Sequence, residues 1–204
     1  MKHKPLLAVL FGVATVATGM TAWAIQSQPE AASESKPPLS AHEEANRYLR
    51  TGMRQDEQHQ FKAAAQSYLR VVQLEPRNKF AWYNLGVAAQ EAGSTAGAGA
   101  AYEMALKIDP QFPPALFNAA LLLEQSNPVR AVALLQRATS ADPKAATAHL
   151  HLGIIWARRA EEAKAVDEFR RAVSLDSSLL SSVPEEFRDS VPDPTASAGS
   201  EKGD

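Results

Sequence analysis

Apolar residues in the middle of the chain recur with the spacing of amphipathic helices, in segments separated by short polar turns. One helical face is formed by residues at i, i+3, i+4 and i+7, namely Trp82, Leu85, Gly86 and Ala89. A second stripe begins at Ala98, and the segment from Glu91 to Thr95 between the stripes carries the Gly and Ser typical of a turn. The pattern therefore predicts a pair of helices joined by a short connection.

This pattern returns along the chain with a period of 34 residues, shortened once to 33. The four copies are Ala64, Tyr68, Val71 and Pro76; Ala98, Tyr102, Ala105 and Pro110; Ala131, Leu135, Ala138 and Pro143; and Ala165, Phe169 and Ala172, with Ser177 in place of the proline. Proline ends a helix because it lacks an N–H and restricts the preceding residue. A fixed period of this length predicts stacked helical hairpins, none of which buries its apolar face alone.

Small residues recur at two places in each predicted hairpin. One column contains Gly52, Gly86, Ala120 and Gly153, and the other contains Ala64, Ala98, Ala131 and Ala165. A side chain of one carbon or none lets two helix axes approach closely. The aromatic residue or leucine four positions after each column alanine is expected to fill the space beside that contact.

These residues resemble the tetratricopeptide-repeat family. The copy with Trp82, Leu85 and Gly86 matches the family signature almost throughout, whereas the third is the most divergent, with Leu116 for tryptophan and Ala120 for glycine. The resemblance implies an all-α fold of tandem helix-turn-helix repeats stacked into a right-handed superhelix. The repeats are expected at about 45–78, 79–112, 113–145 and 146–179, within an array spanning 41–177. For function, the resemblance implies protein binding.

The segments that flank the array differ from it in composition. Two lysines precede an uncharged apolar run within residues 1–25, which is typical of an export signal, with Ala22-Trp23-Ala24 as a cleavage sequence. The run is also long enough to remain as an N-terminal membrane anchor, and both alternatives predict an exported, periplasmic or extracytoplasmic location. Residues 26–40 and 195–204 are polar and predict a disordered linker and tail. Residues 178–194 fit a short capping helix, from about Pro184 to Ser190.

Composition excludes several kinds of chemistry. The chain has no cysteine, so disulfides, thiolate metal sites and thiol nucleophiles are absent. A net charge of −2 offers no basic stripe for nucleic acid. His149 and His151 lie two positions apart on a predicted helix and point to different faces, so they predict no metal site. We expect no cofactor, no metal and no enzymatic activity.

The first helix of each repeat carries three columns of residues that are expected to face a concave groove. Two columns are apolar and the third is polar; they contain Leu49, Tyr83, Phe117 and Leu150; Met53, Val87, Leu121 and Ile154; and Arg50, Asn84, Asn118 and His151. A continuous apolar strip typically marks a binding surface, although the same side chains could instead pack between neighbouring helices. The two asparagines could bond a peptide backbone, since an amide both donates and accepts.

The sequence favours a non-catalytic scaffold or chaperone-like adaptor of the cell envelope. Its expected partner is an apolar or amphipathic protein segment captured in the groove, with Tyr83 and Phe117 as anchors. In the columns with which some tetratricopeptide proteins clamp a terminal carboxylate, this chain has Leu49, Met53 and Pro114, and only Asn84 fits the clamp. Two alternatives remain: a self-associating homo-oligomeric structural protein at the membrane, or a substrate-recognition subunit of an envelope enzyme complex for glycosyl transfer or cytochrome maturation.

Overall fold

Eight α-helices follow one another between residues 41 and 175 in the computed structural model, which describes residues 39–192. They are α1 Ala41–Glu57, α2 Phe61–Leu74, α3 Lys79–Glu91, α4 Thr95–Ile108, α5 Pro113–Leu123, α6 Pro128–Ala141, α7 Ala146–Arg158 and α8 Glu162–Leu175. Consecutive helices pair as hairpins 1 to 4, and each hairpin packs on the next. This confirms the predicted all-α fold. The predictions for residues 1–25, for the linker up to residue 38 and for residues 195–204 lie outside the described residues.

A capping box fixes the start of the array. The Ser40 hydroxyl accepts a hydrogen bond from the backbone N–H of Glu43, and the Glu43 carboxylate accepts one from the Ser40 backbone N–H at 2.8 Å. Two of the unpaired donors at the helix N-terminus are thereby satisfied. The bonds that the Glu43 carboxylate accepts from the Ser40 backbone N–H and hydroxyl lower the pKa of Glu43. Ser40, the last residue of the predicted linker, is thus the cap of α1.

Glycine and an aromatic ring make the closest contact inside three of the four hairpins. A Cβ atom added to Gly52, Gly86 or Gly153 would lie 2.7, 2.4 or 2.5 Å from the nearest ring atom, far inside contact distance. The rings concerned are Tyr68, Tyr102 and Phe169, all fully buried. Only a residue without a side chain admits the ring so close to the facing helix. Hairpin 3 carries Ala120 and Leu135 at the same two positions, and both are buried in one apolar cluster.

The turn of hairpin 3 explains why one period is 33 residues. In the other hairpins the turn contains a residue with left-handed backbone, His59, Gly93 or Ala160. The residue after each one donates its N–H to the carbonyl five positions earlier. Hairpin 3 lacks this residue, and Asn127 N–H bonds Leu123 O, only four positions earlier, at 2.7 Å. The Asn127 side chain then caps α6.

Buried apolar clusters span every boundary between neighbouring hairpins. One cluster contains buried residues of hairpins 2, 3 and 4, among them Tyr102, Leu116 and Leu152. After α8 the chain forms a 3₁₀ helix, Ser177–Ser182, and one helical turn, α9 Glu185–Arg188. The apolar side chains of this segment belong to the cluster of the last hairpin; those buried are Val183, Phe187 and Val191. The apolar end of hairpin 4 is therefore covered by the chain itself.

Candidate functional site

The first helices of the hairpins bring several predicted groove residues into contact with each other. The ring of Phe117 on α5 meets that of His151 on α7 edge to face, with centroids 5.6 Å apart. On the other side, Nδ2 of Asn118 donates a hydrogen bond to the hydroxyl of Tyr83 on α3 at 3.3 Å. The polar and apolar columns therefore form one connected surface across α3, α5 and α7, which we call the groove face.

Asn118 is held by tyrosine hydroxyls on one side of its amide. Its Nδ2 also reaches the hydroxyl of Tyr102 at 3.4 Å, and that hydroxyl donates to Oε1 of Gln90 at 3.0 Å. Burial raises the pKa of Tyr102 to about 12, so the hydroxyl keeps its proton and can make both bonds. No donor within residues 39–192 bonds Oδ1 of Asn118, which leaves that carbonyl as an acceptor.

The polar column divides into residues that are free and residues that are already bound. Among the described residues, no hydrogen bond engages the side chains of Arg50, which is exposed, or Asn84, which is half-buried. His151 differs, because its Nδ1 lies 2.8 Å from Oε2 of Glu124, whose other oxygen accepts a bond from Arg158. His151 thus joins hairpins 3 and 4, and its Nδ1 is engaged in the array itself.

The apolar columns are less exposed than a continuous strip requires. Leu150 is only 5% exposed and belongs to the core cluster of Phe169 and Val173, so its expected place on the strip is wrong. The physical reason is that α7 turns this side chain toward α8. Five other members are half-buried and pack against core residues; they are Leu49, Tyr83, Val87, Phe117 and Ile154. Leu121 is half-buried as well, and Met53, 51% exposed, stands clear of the core.

Phe80 is an aromatic residue of this face that the sequence columns missed. It is 59% exposed and lies three and four positions before Tyr83 and Asn84, on the same side of α3. Its ring packs edge to face on the buried Phe112, with centroids 5.4 Å apart. A fourth column, one turn before the column of Tyr83 and Phe117, would have identified it; this column reads Asn46, Phe80, Pro114 and Thr147.

A lysine anchors this aromatic pair. Nζ of Lys79 lies 5.1 Å from the ring centre of Phe80 and 4.9 Å from that of Phe112, within range of cation–π attraction. The same ammonium forms an ion pair with Asp109, and this hydrogen bond lowers the pKa of the Asp109 carboxyl. The start of α3 is thereby tied to the turn that follows α4, which holds Phe80 in place at the surface.

A cavity of about 360 Å³ opens between hairpins 3 and 4. Its wall contains the groove residue Phe117 together with Pro114 and Thr147 of the fourth column. Most of the remaining wall is apolar, with Pro113, Ala138, Ala145 and Ala148. The cavity could accept one apolar side chain of a bound segment. Its wall residue Pro114 is the counterpart of Phe80 in the next repeat, 34 positions later.

The structure offers no metal-binding constellation within residues 39–192, where no three His, Asp or Glu side chains converge. None of the helices between residues 39 and 192 combines the length and apolar character needed to cross a bilayer.

Solved structures with similar folds are known at low sequence identity. MamA 41-end from Desulfovibrio magneticus RS-1 has a TM-score of 0.64 and 20% identity, covering 70% of this chain and 81% of that one. PilF of Pseudomonas aeruginosa has a TM-score of 0.63 and 22% identity, covering 74% and 68%. YrrB, a TPR protein with an unusual peptide-binding site, has a TM-score of 0.58 and 19% identity, covering 65% and 69%. These likenesses concern the fold.

The sequence itself matches a family model across more than half of its length. No curated protein matches the chain significantly in sequence. The family model that does match, over residues 48–160, is the middle TPR-like domain of cilia and flagella-associated protein 70. This match covers α2 to α7 completely, with their columns of small and aromatic residues. On this evidence, and on four helical hairpins packed in tandem, the chain belongs to the tetratricopeptide-repeat family.

Proposed function

We propose that this chain is a non-catalytic adaptor that captures a segment of another protein on its groove face. Among the structural neighbours, YrrB is a TPR protein with a peptide-binding site, which supports a role in protein binding. The observation that carries the proposal is Phe80, a large aromatic side chain left 59% exposed beside the half-buried Tyr83 and Asn84. Aromatic residues that are fixed in place and partly exposed are typical anchors of protein interfaces.

The ligand is an extended or helical segment with apolar side chains spaced along it. Phe80 and Met53 offer apolar contact area on α3 and α1, and the cavity beside Phe117 accepts a further apolar side chain. Asn84 can both donate to and accept from a backbone, whereas Asn118 supplies only its Oδ1 acceptor. Each such bond adds about 1 kcal/mol.

The location that we propose is extracytoplasmic. Support comes from the positive and then apolar sequence of residues 1–25, which is the pattern of an export signal or a single N-terminal anchor. At an extracytoplasmic location the groove face would be accessible to exported proteins and to the extracytoplasmic parts of membrane complexes.

Photo-crosslinking tests the groove directly. A photoreactive phenylalanine at position 80 should trap a defined partner in living cells, and the same residue at position 129 should not. Val129 is a matched control because it is 67% exposed but lies on α6, the second helix of hairpin 3, which is not part of the groove face. The trapped peptide, once sequenced, can be synthesised and its affinity measured by calorimetry.

Two variants then decide whether the trapped segment binds where we propose. Phe80→Ala combined with Asn84→Ala should weaken binding of that peptide by at least about tenfold, and Val129→Ala should leave it unchanged. Both should keep the wild-type helicity, since the replaced side chains are exposed or half-buried. Equal affinity of all three proteins would overturn the groove, and a crosslink only between copies of this chain would instead support self-association.

A further inference from the structure

A second concave feature lies between the outer helices α4 and α6. Two adjoining cavities of about 430 and 170 Å³ share the residues Glu103, Leu106, Arg130 and Leu134. Together they form one crevice whose volume is in the range of small-molecule sites. Its floor on α5 consists of Ala119, Leu122 and Leu123. Because each residue turns the helix by about 100°, these side chains point almost opposite to Phe117 and Leu121, so the crevice is separate from the groove face.

The inner wall of the crevice is hydrocarbon. It is formed by Leu106, Leu122, Leu123 and Leu134. Two hydroxyl residues also line the crevice, Thr95 on the first turn of α4 and Ser126 in the turn of hairpin 3. An extended peptide placed along these leucines would leave its N–H and C=O groups without partners, which is costly away from water. An alkyl chain has no such groups. The wall therefore favours an acyl chain over an extended polypeptide.

Gly99 opens the crevice from the side of α4. A Cβ atom added there would meet no atom within 4 Å, in contrast to Gly52, Gly86 and Gly153, which admit a ring. Glycine inside a helix is less favourable than alanine, and here no packing contact requires it. What the missing side chain provides is space, since Gly99 lines the inner cavity.

The mouth of the crevice carries an excess of positive charge. Arg130 and Glu103 neutralise each other through an ion pair of 2.7 Å that joins α6 to α4. Lys107 and Arg137 line the same outer cavity, and neither forms an ion pair with a carboxylate within residues 39–192. Arg137 donates one bond to the carbonyl of Pro110, which fixes its position and leaves other donors for an anion.

We propose that this crevice binds a free amphiphile with a single unbranched acyl chain and an anionic head group. The chain lies along the leucines of α4, α5 and α6, and the carboxylate or phosphate head lies at Lys107 and Arg137. The site is independent of protein capture on the groove face, because the two surfaces use different sides of α5.

Calorimetric titration of the full chain with dodecanoate, below its micelle concentration, tests the site. Gly99→Leu should weaken binding at least about tenfold by filling the inner cavity, without loss of helicity because leucine is the better helix former. Ala100→Leu is the matched control: it adds the same side chain to the neighbouring exposed position, outside both cavities. Its affinity for dodecanoate should equal that of the wild type.

A second set of titrations tests whether Lys107 and Arg137 bind the anionic head group. Lys107→Gln with Arg137→Gln should weaken dodecanoate and dodecyl phosphate binding by about fivefold at low salt and leave binding of uncharged dodecanol unchanged. Absence of dodecanoate binding to the wild type, or equal binding by Gly99→Leu, would overturn the site. Binding only to vesicles of anionic phospholipid, with none to dodecanoate, would also overturn it, since the crevice is proposed for a free single-chain molecule.

Discussion

In hairpin 2 the closest contact between the two helices is made by Gly86 and the ring of Tyr102, whereas hairpin 3 uses Ala120 and Leu135 at the same positions. One pair combines no side chain with a large ring, and the other combines a methyl group with a smaller branched chain. Both pairs are buried. The total volume of the two side chains is thus kept while the residues change, so a larger residue in one column is offset by a smaller one in the other.

The polar ends of the two hairpins differ in a related way. Gln90 accepts a hydrogen bond from Tyr102 of its own hairpin, at 3.0 Å. Glu124 lies 34 positions later, but Leu135 has no hydroxyl to offer it. Its carboxylate instead binds His151 and Arg158 of hairpin 4, each at 2.8 Å. At the same repeat position, Gln90 thus links the two helices of one hairpin, whereas Glu124 links two neighbouring hairpins.

The largest effect is expected from exchanging the members of the close contact. Gly86→Ala should lower the free energy of unfolding by about 3 kcal/mol, because its Cβ would lie 2.4 Å from a buried ring that has no room to move. In a Tyr102→Leu background the same change should cost nothing or stabilise by up to about 1 kcal/mol, since alanine is the better helix former. Urea unfolding of the wild type, the two single variants and the double variant measures the coupling energy between Gly86 and Tyr102.

Ala120→Gly is the control for this cycle. It removes a methyl group where no ring approaches, so it should cost only about 1 kcal/mol, mainly in helix propensity. If Gly86→Ala destabilised the wild type and the Tyr102→Leu protein equally, the exchange of volume between columns would be refuted.

The next largest effect concerns the polar position. Glu124→Ala should cost about 2 kcal/mol, because it leaves His151 and Arg158 without their shared acceptor, whereas Gln90→Ala should cost about 1 kcal/mol. The two substitutions should also destabilise different helices. Amide exchange should accelerate in α7 for Glu124→Ala and in α3 and α4 for Gln90→Ala, since repeats depend on nearest neighbours. Uniform acceleration along the array would contradict this division.

The fold could be predicted because its signal is repeated. Gly52, Gly86 and Gly153 recur at one place in each period, and any one of them alone would say little. The missing turn residue in hairpin 3 was visible as a period of 33, but its meaning depends on backbone angles at His59, Gly93 and Ala160. Those angles follow from how the helices meet, which local sequence does not specify.

The candidate site was less predictable than the fold. The groove columns were chosen by spacing, and spacing does not reveal that Leu150 turns into the core or that Glu124 binds His151. Both depend on the neighbouring hairpin. Phe80 was missed for a different reason, because the repeat signature does not include its position. Only its contact with Phe112 and its exposure show it as a fixed ring at the surface.

A smaller effect is expected in alkaline solution, where hairpin 2 should respond and hairpin 3 should not. Burial raises the pKa of Tyr102 to about 12 from an ordinary value of 10.0. Stability from this group is therefore complete below about pH 10 and is lost as the pH rises toward 12. The double variant Gly86→Ala, Tyr102→Leu should show a shallower loss between about pH 9 and 11 in urea unfolding, with Tyr68, whose pKa burial also raises, supplying the remainder. An unchanged slope would contradict the role of Tyr102.

The smallest effect distinguishes the ends of the two hairpins. Asp109 and Asp142 each accept a backbone N–H two positions later. Within residues 39–192 only Asp109 has a lysine partner, since Pro113 stands where Lys79 would be in hairpin 3. Lys79→Met keeps the apolar stem beside Phe112 and removes the charge. The pKa of Asp109, which the Lys79 hydrogen bond lowers, should rise toward 3.8 in an NMR titration.

The sign of the stability change follows from that shift. A lowered pKa stabilises the fold above the ordinary value and ceases to do so as the pH falls through the folded-state value. Lys79→Met should therefore destabilise slightly at neutral pH and match the wild type in strong acid. Salt should reduce the difference, because both charged groups are about one-third exposed, at 29% and 31%. A difference that persisted in acid would instead assign the effect to lost contacts with Phe80 and Phe112, and the lysine would then act in hairpin 2 through packing rather than charge.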